Sequence, residues 1–258
     1  MTCKRLAFAI VFPALALATY CAAAAADLSG TWAVTPSTAS GKIYFDLTIE
    51  DSNGHDRSHS GNDYTPSALG LTQQQLNGPG HHVSFTISRD AGSFACEGWV
   101  TNGRGGGSAA FSPSAEYISK MNARGYDPSS EQIASAALVD LSNAYVDGLA
   151  AAGVQKPPFE DLIAMRALNV DGSYVNDLHS VGLNVTVARD LIELKALNVN
   201  AAYVKTLATL GYTGLSSHQL VELRALKIDA DFVRRVKAHG IAHPTIQDLV
   251  RLKSLNVI

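Results

Sequence analysis

The spacing of histidines is the first arrangement in this sequence that suggests chemistry. His55 and His59 are placed at i and i+4, as two zinc ligands on one turn of a helix are, and His81-His82 lies further along the chain. A zinc site needs three or four ligands in fixed geometry. The neighbours of His55 and His59 are Asn, Gly and Ser, which favour a loop over a helix. We therefore expect solvated histidines, no metal ligand and no cofactor.

The glycine-rich run Gly103–Ser108 has the composition of a phosphate-binding loop. It lacks the lysine of a P-loop and precedes a predicted strand, so no helix N-terminus is available to an anion. The run Asn102–Gly105 predicts a hairpin turn instead, because Asn and Gly tolerate positive φ.

No nucleophile stands beside a base in a recognisable motif. The sequence G-x-S-x-G is absent, and the serines and histidines are scattered. Cys96 lies in an alternating run that starts at Phe94, which predicts a buried, unreactive thiol. We therefore expect no catalytic residue and no cofactor-binding residue, and a chain that is not an enzyme.

Gly30-Thr31-Trp32 matches the short G-x-W motif near the start of lipocalin-like barrels. Two interpretations follow from it. The tryptophan closes a barrel that holds a small ligand or lipid, or it fills a small core. The β-rich segment of about 87 residues is short for an eight-stranded ligand barrel, which favours the filled core.

The N-terminal segment 1–26 has the layout of a secretory signal peptide. Lys4 and Arg5 precede an apolar stretch, and a run of alanines ends at Ala26, where we expect cleavage. A lipoprotein would use Cys21 as the lipidated residue, but the bulky Tyr20 before it fits that processing poorly. We therefore expect a secreted protein, periplasmic or extracellular.

Composition restricts the partners of the exported chain. The formal net charge is −3, and cleavage of the leader removes two basic residues and no acidic ones, which argues against nucleic acid. Cys96 is the single cysteine beyond the leader, so no intramolecular disulfide is expected. No later segment is apolar over the roughly 20 residues that span a membrane.

Residues 27–113 show the alternation typical of strands with one buried face. Apolar residues occupy positions 43, 45, 47 and 49, and the pattern returns at 83–87 and, less regularly, at 94–100. The turn Asp90–Gly92 and the turn beginning at Asn102 predict hairpins. We expect about six antiparallel strands, with irregular connections at 53–62 and 72–80.

Beyond position 131 the sequence contains a tandem 29-residue repeat. DLIAMRALNV at 161–170 returns as DLIELKALNV at 190–199, QLVELRALKI at 219–228 and DLVRLKSLNV at 248–257. A tyrosine or phenylalanine column, a glycine column and a leucine or valine column share this spacing, and a shorter copy begins at Tyr117. These columns contain Tyr145, Tyr174, Tyr203 and Phe232; Gly153, Gly182, Gly211 and Gly240; and Leu149, Leu178, Leu207 and Val236.

Each repeat predicts two short helices. The apolar stripe of the first helix contains Leu191, Leu194 and Leu197, and that of the second contains Tyr203, Leu207 and Leu210. We expect Asp171, Asn200 and Asp229 to cap the second helix, and the glycine column to end it. Ser216 with Gln219, and Thr245 with Asp248, mark the start of the first helix. The stripes predict stacking between units, because one unit cannot bury enough apolar surface alone. The alternative is that the tyrosine column lines a ligand groove.

The repeats, with the preceding run Arg89–Phe94, resemble uncharacterised repeats of bacterial secreted proteins. They are also similar to repeats that trail some membrane metallopeptidases of the β-lactam-sensor class. The resemblance covers about 85–258 and implies architecture alone. The peptidase activity is not implied, because the chain lacks the H-E-x-x-H zinc helix and the membrane spans.

These observations predict an α+β fold, with a small antiparallel β-rich N-terminal domain followed by a short solenoid of α-hairpin repeats. The expected segments are a signal peptide at 1–26, a β domain at 27–113, a linking half-repeat at 114–131 and tandem repeats at 132–258. The function expected is a secreted protein-interaction scaffold that binds another protein through its helices. The alternative is a ligand- or lipid-binding β domain with the helices as a docking appendage. A closed barrel with a cavity would favour the alternative, and a filled core the scaffold.

Overall fold

The computed structural model describes residues 28–50 and 57–256. The predicted signal peptide with Cys21, and His55 of the histidine pair, lie outside these residues. Within them, the protein combines an antiparallel sheet in its N-terminal part with ten nine-residue helices in its C-terminal part. The predicted α+β class is therefore confirmed.

In the described ranges the sheet contains six strands in the order β3-β2-β1-β6-β5-β4, and every neighbouring pair is antiparallel. Two three-strand meanders thus join through β1 and β6, and β3 and β4 are the edges. The sheet is open, since β3 and β4 do not pair among the described residues. The strands are β1 (Leu28–Pro36), β2 (Ile43–Glu50), β3 (Arg57–Tyr64), β4 (His81–Arg89), β5 (Gly92–Thr101) and β6 (Arg104–Pro113).

The two predicted hairpin turns are present. Arg89 pairs with Gly92, which leaves a two-residue turn between β4 and β5. Thr101 pairs with Arg104, and the two residues between them, Asn102 and Gly103, both have positive φ, as this kind of two-residue hairpin requires.

The irregular connections predicted at 53–62 and 72–80 are partly wrong. Residues 57–62 belong to β3, whose side chains are polar and carry no period-two signal, so that its pairing with β2 decides its conformation. Within 72–80 the chain forms the short helix α1 (Gln73–Leu76), which Thr72 starts through a capping box. A 3-10 turn at Pro66–Leu69 precedes it.

One face of the sheet is buried around Trp32, as the alternation predicts. The indole contacts Phe45 and Phe85, at ring-centroid distances of 6.2 and 5.1 Å. A side chain at Gly98 would approach the Trp32 ring to 2.8 Å, and Gly107 lies directly across from Trp32 in the register. The tryptophan is 2 % exposed and its Nε1 donates to the Glu97 carbonyl at 3.3 Å. Trp32 thus fills the core.

The helices form two alternating sets that follow the repeat of the sequence. The set that carries the tyrosine column is α2 (Ala115–Ala123), α4 (Asn143–Ala151), α6 (Gly172–Ser180), α8 (Ala201–Thr209) and α10 (Ala230–Ala238). The second set is α3 (Ser130–Leu138), α5 (Phe159–Ala167), α7 (Ala188–Ala196), α9 (Ser217–Ala225) and α11 (Ile246–Ser254). Each helix of one set is therefore followed by a helix of the other.

The predicted helix boundaries are confirmed by their capping bonds. The side chains of Asp171, Asn200 and Asp229 each accept a bond from the backbone N–H three residues on. Ser216 and Thr245 each form a complete capping box. The glycine column follows the ends of the helices with φ between 82° and 98°.

Helices of the same set contact one another. Within the second set α3 contacts α5, α5 contacts α7, α7 contacts α9 and α9 contacts α11, while α4, α6 and α8 contact in turn within the first. Leu194, Leu207 and Tyr203 are buried, as predicted. Leu197 and Leu210 are half-buried, because each occupies the C-cap position where the chain leaves its helix. Among the described residues, no helix has the length and apolar character needed to cross a bilayer.

Candidate interaction site

His59 and His82, two of the histidines that the sequence suggested as metal ligands, lie apart from each other in the described part of the chain. His59 lies on β3 and His82 on β4, the two edge strands of the sheet. Each bonds to a carboxylate instead: His59 Nδ1 lies 3.3 Å from Asp46 Oδ1, and His82 Nε2 lies 3.1 Å from Glu97 Oε1. In the part of the chain that the structure describes, no three residues of the metal-binding types come together.

Two other candidates from the sequence, the glycine-rich run and Cys96, belong to the packing of the sheet. Gly105–Gly107 belong to β6, where a side chain at Gly105 or Gly107 would collide with the backbone of β5. Cys96 is buried in the sheet core, and burial raises the pKa of its thiol to about 12. A thiol with so high a pKa carries almost no thiolate at neutral pH, so Cys96 is a core residue.

The tyrosine column forms a ladder of hydrogen bonds between successive repeats. The hydroxyl of Tyr145 donates to the Val170 carbonyl at 2.5 Å. The hydroxyls of Tyr174 and Tyr203 donate at 2.8 Å to the carbonyls of Val199 and Ile228, which hold the same place in the following repeats. Burial raises the pKa of these tyrosines, to about 12 for Tyr174 and Tyr203. The column therefore lies within the packing between units and does not line a groove.

A column of cations covers the same rings. Lys195 Nζ lies 4.3 Å from the centre of the Tyr174 ring, and the Arg224 guanidinium lies 4.4 Å from that of Tyr203. Arg166 over Tyr145 and Lys253 over Phe232 complete the column, at 5.6 and 4.7 Å. At partly exposed positions such as these, a cation–ring contact is expected to stabilise by about 0.5–1 kcal/mol. The signal was present in the sequence, in the Arg or Lys that each copy of the repeat carries at its sixth position.

A third column has a left-handed backbone, with one residue in each repeat at φ between 51° and 57°. Asn and Asp tolerate this conformation better than other residues with side chains. The carbonyls of Asp140 and Asn198 accept bonds from Arg166 and Arg224, both at 3.0 Å. The left-handed residue thus turns the chain so that its backbone carbonyl lies within hydrogen-bonding distance of the arginine of the next repeat. The column contains Asp140, Asn169, Asn198, Lys227 and Asn256.

The sheet is fastened to the helices at the turn between β4 and β5. The Asp90 carboxylate accepts from the Asn143 backbone N–H at 2.9 Å, at the start of α4. Arg89 Nε lies 3.5 Å from Asp140 Oδ1, which follows α3. Helix α3 also lies against β1, β3, β5 and β6, through the small buried residues Ala134, Ala136 and Ala137. The sheet and the first helices therefore share one hydrophobic core.

A polar cleft of about 600 Å³ opens beside this junction. One wall is strand β3 and the other is formed by the residues that end α3 and α5, together with Arg89. Asp140 lies between two arginines, because Arg166 Nη2 is 3.4 Å from Asp140 Oδ2. The lining residues are His59, Ser60, Gly61, Asn62, Tyr64, Arg89, Leu138, Val139, Asp140, Arg166, Ala167 and Asn169.

Two other surfaces are open. An apolar cavity of about 260 Å³ lies between α4, the loop that joins α2 to α3 and the loop that joins α4 to α5, with Lys156 and the Arg124–Asp147 ion pair among its lining residues. On the outer face of the sheet, Trp99 is 60 % exposed and meets the His82 ring edge-on.

Comparison with models of known protein families, with curated proteins and with solved structures found no match for this chain.

Proposed function

We propose that the protein is a secreted scaffold that binds another protein through its helical half, which forms a short solenoid of stacked helical hairpins. The observation that carries this proposal is the tyrosine and cation ladder. One set of contacts between units recurs from repeat to repeat, as in repeat proteins whose units stack to present an extended binding surface.

The character of the β half also supports a scaffold. Its sheet is open and Trp32 occupies its core. The cavity between the sheet and α3 measures about 20 Å³, room for about one water molecule. Among the described residues, this cavity is too small for the small ligand or lipid of the alternative function, so the helical surface is the better candidate for binding.

The test is affinity capture from the extracellular or periplasmic fraction of the producing cell, with the partner identified by mass spectrometry. We expect a specific protein to be retained by the full chain and lost with Arg234→Glu plus Arg235→Glu, two exposed cations of α10. The matched control is Arg104→Glu, which reverses an exposed charge at the β5–β6 hairpin of the sheet, outside the helices. Capture that survives reversal of the exposed charges on every helix would contradict binding through the helices.

Export has its own test. We propose that the chain is cleaved after Ala26, and mass spectrometry of the N-terminus of the protein from its natural source checks this. We expect a mature chain that begins at Asp27. Retention of Met1 on a protein in the cytoplasm would contradict both the signal peptide and the compartment of the proposed partner.

A further inference from the structure

The edge strand β3 leaves backbone hydrogen-bonding groups available. Its single strand partner among the described residues is β2, so the N–H and C=O groups on its other side are free of strand pairing. An open edge of this kind is a template for an added strand, and proteins use it to bind extended peptides.

The polar cleft lies along this edge. Its lining includes His59 and Gly61, whose side-chain positions face the outer side of the sheet, and also Ser60, Asn62 and Tyr64. The last three face the inner side, because they pair with the buried positions Leu47, Phe45 and Ile43. Because residues from both faces of β3 line the cleft, the cleft lies along the unpaired backbone edge of this strand. Six residues of strand correspond to about 20 Å, the length of an extended peptide of about six residues.

The wall opposite β3 is cationic. Arg89 and Arg166 share one carboxylate, that of Asp140, and their side chains are 27 % and 26 % exposed. Two guanidinium groups with one anion between them leave a positive charge beside the cleft. The other polar groups of this wall come from Asn169 and the backbone that ends α3, and neither supplies a second carboxylate.

We propose that the cleft binds an extended acidic segment of the partner protein, which adds to the sheet beside β3 and places a carboxylate against Arg89 and Arg166. This inference rests on the proposed function and specifies the partner's chemistry. Main-chain hydrogen bonds to β3 supply affinity, and the arginines select an acidic side chain.

The probe is a fluorescent hexapeptide of alternating valine and threonine with a glutamate at each end, titrated against the full chain. We expect saturable binding that weakens when the glutamates are replaced by lysines. N-methylation of alternate peptide amides should abolish binding, because it removes the backbone donors of an added strand. Salt should weaken binding of the acidic peptide, because the charges are partly exposed.

Two variants of the protein sharpen the assignment. Arg89→Gln should weaken the affinity for the acidic peptide by about three- to tenfold, the usual effect of one charge-assisted contact at a partly exposed site. The control is Arg124→Gln, which removes an arginine of equal exposure (26 %) that is paired with Asp147 outside the cleft. That variant should bind the peptide unchanged. Thermal melting checks that each variant is folded.

Hydrogen–deuterium exchange then locates the peptide. We expect it to slow exchange at amides of β3 and to leave those of the other edge strand, β4, unchanged. Binding without protection of β3, equal binding of the lysine peptide, or equal loss in both arginine variants would overturn the inference. So would a concentration-dependent dimer that protects β3 and excludes the peptide, since a second copy would then occupy the edge. These outcomes are separate from the scaffold function, because partner capture through the helices is measured independently.

Discussion

The core of the sheet is built around a single tryptophan, whereas the helices pack through one hydrogen-bonded contact that recurs in successive repeats. Trp32 lies over Gly98 and Gly107, two strand positions where a side chain would meet the indole or the neighbouring backbone. In the helices, Tyr145, Tyr174 and Tyr203 form the same hydrogen bond to the next repeat.

This difference predicts how strongly a single substitution should destabilise each half. The core of the sheet has no second copy of Trp32, so its loss has no local substitute. Each ladder contact of the helices has neighbours that repeat it, and a single loss is confined to one interface between units. We therefore expect the largest effects of substitution in the sheet core, and smaller, graded effects along the ladder.

Trp32→Ala should show the largest loss. Truncation of a buried tryptophan costs about 3–5 kcal/mol in the free energy of unfolding, through lost burial and the cavity that remains. The control is Trp99→Ala, which removes the same side chain from an exposed position and should cost about 0.5 kcal/mol or less. Urea unfolding of the full chain measures both. Equal costs would contradict the assignment of Trp32 to the core.

Leu207→Ala is the corresponding test of the helices. Leu207 is 1 % exposed between units, so its truncation should cost about 2–5 kcal/mol. Lys205→Ala, slightly earlier on the same helix and exposed, should change the stability by less than about 0.5 kcal/mol. If the two substitutions cost the same amount, the stripe that stacks the helices has been assigned wrongly.

Elements were predictable from the sequence where the pattern was strong. The alternation at 43–49 predicted β2, and the spacing of the repeat placed the caps Asp171 and Asn200 and the glycine column at their observed helix ends. Strand β3 was not predictable, because Ser58–Asp63 contains no apolar residue apart from a glycine, and its conformation depends on hydrogen bonds to β2. An edge strand with few buried side chains has a weak local signal.

The candidate site was less accessible to prediction. His59 and His82, which the sequence suggested as metal ligands, lie on the two edge strands of the sheet, and no local sequence pattern shows this strand order. The cleft joins Arg89, which ends β4, to Arg166 of α5 through Asp140, and no local motif contains these three residues. Only packing of α3 on the sheet brings them together. The cation ladder, by contrast, could have been found, since Arg166 and Lys195 occupy the same position in their repeats.

Tyr203→Phe tests the hydrogen bond of the ladder. The variant keeps the ring and leaves the Ile228 carbonyl without its donor, so we expect a loss of about 1 kcal/mol at neutral pH. Burial raises the pKa of Tyr203 from 10.0 to about 12 in the folded state. The stability from keeping this phenol neutral is therefore complete below pH 10 and is lost as pH rises toward 12. Unfolding free energies measured from pH 7 to 12 should fall less steeply in the variant, and parallel curves would contradict this role.

Lys195 provides the smallest and most specific test, because its substitutions separate charge from packing. Its ammonium lies 4.3 Å from the centre of the Tyr174 ring, and a contact of this kind is expected to stabilise by about 0.5–1 kcal/mol. Lys195→Met keeps most of the alkyl chain and removes the charge, so it should lose that amount, whereas Lys195→Arg should lose little. Lys205→Met, at an exposed position without a ring contact, controls for the general effect of removing a lysine. If Lys195→Met is as stable as the native chain, the cation column contributes no stability, and its recurrence in each repeat requires another cause. If it loses stability only in the presence of Tyr174, and not in the Tyr174→Leu background, the ring and the charge are coupled as the ladder requires.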